Sequence, residues 1–235
     1  MEKKERWKYL WLGLFAAAMA FLETAVVIYL RKLYSPSGFN FPLSLGIPHN
    51  VLVIEWVREI CTIIMLGVVA FIAAKKSYHK FAYFLYAFAI WDIFYYIWLR
   101  IITGWPASVF TWDLLFLIPV PWAGPVLAPL IVSLTMIALS LLIVYFEPKK
   151  INAAEWILLG AGAFLILITF LKDYMMVIIN NGFLMQFSKL ATISEFQSLI
   201  GSYIPSNYMW GLFILGEIVV IIGIVFIWRN IKLKL

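Results

Sequence analysis

Six stretches of this chain are each about as long as a bilayer is thick and almost free of charge. They run Lys8–Leu30, Val51–Ala74, Phe81–Ile102, Val126–Phe146, Ala153–Val177 and Tyr208–Trp228. A helix needs roughly 20 apolar residues to cross a hydrocarbon core about 30 Å thick. Inside lipid every backbone amide must be paired within the protein, which leaves helices or a closed barrel. Barrel strands alternate polar and apolar residues, and no such alternation is present here. The expectation is an all-α polytopic membrane protein: one integral membrane domain over residues 1–235, a six-transmembrane-helix bundle. Composition agrees, since 65% of residues are hydrophobic and 13% charged, against about a quarter charged in a soluble domain.

The first 20 residues have a basic start, an apolar run and small residues at Ala16 to Ala20, as a signal peptide does. Apolar character resumes at "TAVVIYL" and stops only at Arg31 and Lys32. An uncleaved first span is expected. The basic residues then set the orientation. Lys3, Lys4, Arg6, Lys8, Lys75, Lys76, Lys80, Lys149, Lys150, Arg229, Lys232 and Lys234 fall at one end, and Arg31, Lys32, Arg58, Arg100, Lys172 and Lys189 in the other half. The positive-inside rule puts both termini in the cytoplasm, in a plasma (inner) membrane. The formal charge of +6 reflects these flanks and does not suggest nucleic acid. The two halves show no repeat of the kind that marks inverted-repeat transporters.

Two outer connections are too long for turns. "GWPASVFTWDLLFLIPVPWAGP" (104–125) is apolar and carries three tryptophans. Thr111 is placed to cap a short helix that Pro119 ends. The segment reads as an aromatic interfacial anchor, or as a lid or re-entrant piece carrying Asp113 over a site. In the second, 180–207, Phe183, Phe187, Leu190, Ile193, Phe196 and Ile200 recur at helical spacing. That pattern predicts an amphipathic helix on the outer surface.

Charges inside spans are costly and point to function by default. Measured by the helix rise from each cytoplasmic end, Glu23 lies about 20 Å up, Glu59 about 22 Å, Asp92 about 17 Å and Glu217 about 18 Å. Arg58 lies at about 24 Å, with Glu55 and Arg100 at about 28 Å. Four carboxyls from four helices thus share one layer in the outer half. Glu55, Arg58 and Glu59 share a helix face, as do Asp92, Tyr96 and Arg100. Thr24, Thr62 and Ser133 are at similar heights. Glu155 and Asp173 fall near span ends. These positions predict a polar pocket open to the extracytoplasmic side. A purely structural alternative pairs Arg58 with Glu59 and Arg100 with a neighbouring acid. Acids nevertheless outnumber bases, and unpaired carboxyls at this depth are protonated or bind a cation.

Several chemistries lack their residues. There is one cysteine, Cys61, so no intrachain disulfide or thiol redox pair exists. The only histidines, His49 and His79, are expected on opposite sides, which argues against a histidine-rich zinc site or a bis-histidine haem. No Glu-x-x-His pair, phosphate-binding glycine loop or Gly-x-Ser-x-Gly elbow occurs. His49 reads as a helix-entry residue and His79 as a solvated loop residue.

Three functions are compatible with this pattern. The first is binding or translocation of protons or a cation by Glu23, Glu59, Asp92 and Glu217, with Arg58 tuning them. The second is an intramembrane enzyme on a lipid or lipid-linked substrate, with Arg58 and Arg100 holding an anionic headgroup. The third is an accessory subunit of a larger membrane complex or homo-oligomer. Membrane lipid is the one partner common to all three.

Overall fold

The structure is a computed structural model that describes residues 3–35, 38, 41, 48–118, 120–148, 151–185, 193, 198–199, 202–205 and 207–232. Six helices carry the fold: α1 Lys3–Tyr34, α2 His49–Ala73, α3 Ser77–Thr103, α4 Leu127–Phe146, α5 Ala153–Asn180 and α6 Trp210–Lys232. All six are long and apolar enough to cross a membrane, so this is a multi-pass membrane protein. The helices begin or end up to five residues from the apolar runs, because polar residues continue a helix beyond its lipid-facing part.

The helix ends have local causes. Gly104, at φ +75°, ends α3 and returns its N–H to the Arg100 carbonyl at 3.0 Å. Asn152 and Glu155 form a capping box at the start of α5, with bonds of 3.0 and 2.7 Å. Glu155 also accepts from Asn230 of α6. It is buried, not reaching toward the interface as its position near a span end suggests.

Helix α3 is central, packing on α1, α2 and α4, while α5 packs along α6. The α5–α6 seam is built on glycines. A Cβ at Gly162 would lie 2.7 Å from the Gly216 carbonyl oxygen and 2.5 Å from Val220, so these backbones approach as only glycine permits. The opposite helix faces expose Trp11, Leu22, Ile72, Ile101, Ile157 and Phe164, as lipid-facing surfaces do.

One end of the bundle gathers the basic flanks. There the Tyr9 hydroxyl bonds Ser140 at 3.0 Å, Tyr83 donates to Glu5, and Lys76 donates to Glu147 at 2.6 Å. His79 is in the first turn of α3 and is buried, not a solvated loop residue. The helix starts four residues before the apolar run, and the rings of Tyr78 and Tyr83 pack around the imidazole. His49 opens α2, as a helix-entry residue does. The amphipathic helix expected over 180–207 falls mostly outside the described residues; Phe183 itself is buried.

The largest departure from expectation is the segment 104–125. No short helix follows Thr111. Instead β1 (Trp112–Phe116) and β2 (Trp122–Pro125) pair antiparallel, with Asp113 opposite Gly124, Leu114 opposite Ala123, and a bulge before Phe116. This hairpin is re-entrant. Phe116 lies against Phe88 and Trp91 of α3 at 6.1 and 6.0 Å between ring centroids, and Phe88 is about 22 Å along the helix from Thr103. Trp122 stacks on Phe170 of α5 at 6.2 Å, about 15 Å from the end of that helix. Non-helical backbone at such depth is tolerated only when protein or a wet cavity surrounds it, and here α3, α4 and α5 enclose it.

Candidate functional site

The polar face of α2 begins at Glu55. Glu55, Glu59, Thr62, Leu66 and Ala70 are all buried, so one stripe turned into the bundle is acidic near the hairpin end and apolar below. Ile54, Val57, Ile60 and Ile64 occupy the outward face. Glu55 and Glu59 are therefore turned away from the apolar outward face, and Arg58 is partly buried between them.

Arg58 bridges α1 and α2. Its Nε donates to Glu55 Oε2 at 2.8 Å, and Nη1 pairs with Glu23. The second Glu23 oxygen accepts from Thr62 at 3.3 Å. The pairing of Arg58 with Glu59 considered from sequence does not occur. Glu59 turns to the hairpin, where its two oxygens lie 3.1 and 3.0 Å from the Leu117 backbone N–H. Leu117 follows β1 and has no strand partner, so this carboxylate satisfies a partly buried peptide group where the hairpin turns.

Asp113 anchors the upper hairpin. Its side chain is fully buried, and Arg31 of α1 donates to Oδ1 at 3.1 Å while its guanidinium lies over the Trp105 ring at 3.9 Å. Oδ2 has no hydrogen-bond partner among the described residues, and Tyr96 is near enough to the carboxyl to act on it as a donor. Burial pushes the Asp113 carboxyl up to about 6, against the opposing pull of Arg31.

The remaining acids meet hydroxyls. Ser133 of α4 donates to Asp92 at 2.8 Å, and Thr135 of the same helix donates to Glu217 at 2.9 Å. Residues two apart on a helix face different ways, so Glu217 lies on a separate side of α4 from Asp92. Its Oε1 is buried without a partner. Tyr95 is within electrostatic range of Arg31, Arg58, Asp92 and Asp113. Thr24 bonds the carbonyls of Ala20 and Tyr95 rather than an acid.

Arg100 does not neutralise an acid. It is exposed and donates to the carbonyls of Gly104 and of Pro106, the latter at 2.7 Å. Those carbonyls are freed where α3 stops, and a cation at a helix C-terminus suits them. Asp173 is buried, 3.9 Å from Lys172 and close to Tyr203.

Arg58 pairs with Glu23 and Glu55 and is within electrostatic range of Glu59, while Arg31 pairs with Asp113, which is within electrostatic range of Asp92. Sequence reasoning counted Arg31 only as a flanking base. Its spacing of eight from Glu23, two turns along one face, was the available signal. Tyr95 and the Leu117 amide had none. Among the described residues, no three His, Cys, Asp or Glu side chains are grouped to hold a metal ion. No protein-family model, curated protein or solved structure matches this chain. The fold and site define a multi-pass membrane protein with a re-entrant hairpin set into a carboxyl-rich cluster, and function must be argued from that chemistry.

Proposed function

We propose that this protein binds and translocates protons through the carboxyls of its hairpin end, seated in a plasma (inner) membrane with both termini cytoplasmic. The carrying observation is Asp92. It lies between α3 and α4 with the neutral hydroxyl of Ser133 as its bonded partner, within electrostatic range of the Asp113 carboxyl. A carboxyl bonded to a neutral partner takes up one proton readily, whereas holding a metal requires several acids on one point. The cation version of this reading is correspondingly less supported. The lipid-enzyme reading needs Arg58 and Arg100 for a headgroup, and both are already engaged.

The test is proton flux in proteoliposomes carrying an internal pH dye. Wild type is expected to dissipate an imposed pH gradient, with Asp92→Asn lowering the rate at least about tenfold and Arg100→Gln leaving it unchanged. Absence of flux under any imposed pH or ion gradient, with Asp92→Asn and Glu59→Gln indistinguishable from wild type, would overturn the proposal.

A further inference from the structure

The basic end carries a second cluster that the site above does not use. His79 is buried, and its Nε2 has no hydrogen-bond partner. That atom lies 3.9 Å from Glu147 Oε1, at the αL-capped end of α4. The other Glu147 oxygen accepts from Lys76 at 2.6 Å, and Lys76 holds this carboxyl below its usual range. From α1, Glu5 and Lys8 also act on the imidazole, Lys8 donating to Glu5 at 2.9 Å and Tyr83 donating to the same carboxyl. From α3 itself the rings of Tyr78 and Tyr83 pack against His79. The imidazole thus faces two acids, Glu5 and Glu147, and two ammonium groups, Lys8 and Lys76.

We propose that His79 is a proton-binding site at the basic end of the bundle, with Glu147 as the acceptor that its protonated Nε2 engages. A proton from water adds to the imidazole, and the resulting N–H points across the 3.9 Å gap to Glu147 Oε1. Occupancy then ties the start of α3 to the end of α4 through a charged contact that the neutral ring does not make. His79 is in the first turn of α3, about 20 Å along the helix from Asp92, so one helix would carry a proton-binding group at its start and another near its middle. This inference concerns binding at His79 and does not depend on transmembrane flux.

The chain has two histidines, which makes the test direct. Nitrogen-15 histidine-labelled full-length protein in lipid nanodiscs is titrated by NMR, with the His79 signal assigned by its loss in His79→Gln and, independently, as the signal retained in His49→Gln. His79 is expected to change protonation state between about pH 5 and 8. Glu147→Gln and Lys76→Met are expected to move its midpoint in opposite senses, each by about half a unit or more. An imidazole that keeps one protonation state across that range, or a midpoint common to wild type and both variants, would overturn the assignment. A failed flux assay with an intact titration would count against the transport reading alone.

Discussion

Asp113 concentrates the physics of the site in one residue. Its folded-state value of about 6 is above the ordinary 3.8, so the folded protein holds this proton more tightly than the unfolded chain. The stability linked to that proton is complete below about pH 4 and is lost as pH rises through about 6. Thermal unfolding in detergent should show that decline in wild type and a flatter profile in Asp113→Asn; parallel profiles would contradict it. Arg31→Met should cost about 3–5 kcal/mol near neutral pH, because it strands a buried carboxylate. Glu59 makes a different prediction. Glu59→Ala removes the acceptor for the Leu117 amide and should cost about 1–3 kcal/mol, while Glu59→Gln keeps an acceptor and should lose less. Equal losses in the two variants would argue against the tip-capping role. At this scale the sequence showed which residues were unusual but not their partners. Glu55, Arg58 and Glu59 advertise themselves by charge in an apolar run, yet the rotamer of Arg58 decides whether it turns to Glu59 or to Glu23. Backbone partners such as Leu117 carry no sequence signal at all.

The helices were legible because lipid imposes a length and a polarity that few other structures share. The hairpin was not. "WDLLFLI" carries apolar residues on both faces and its one charge, Asp113, is its most buried residue, so the alternation by which a strand is read is absent. Helix pairing also escaped notice, since a glycine in a span is as often exposed as packed. Gly162 and Gly160 make the contrast testable. Gly162→Ala drives a methyl into the Gly216 carbonyl and Val220 and should destabilise the α5–α6 seam by about 1–3 kcal/mol. Gly160→Ala meets open space and should be close to neutral. Thermal stability measured side by side in one detergent decides this, and matching losses would mean that the seam is looser than described.

For the whole molecule, the basic flanks and the hairpin lie at opposite ends, and the positive-inside rule reads the first as cytoplasmic. In a Cys61→Ser background, Ser77→Cys, at the exposed start of α3, should react with an impermeant maleimide only in inverted vesicles. Ser108→Cys, exposed beside the hairpin, should react only from the cell exterior. The reverse pattern would invert the proposed topology and with it the sidedness of both proposed proton sites.

The re-entrant hairpin bears on how the chain is made. It leaves the ribosome after α3 but before α5, the helix on which Trp122 stacks. A two-stranded hairpin is marginal on its own, and lipid offers its tip amides no partner. Its first hold must come from the half already inserted, through Arg31 to Asp113 and Glu59 to Leu117. Chains arrested after α4 should therefore keep the hairpin half-docked and open to protease, and synthesis of α5 should close it.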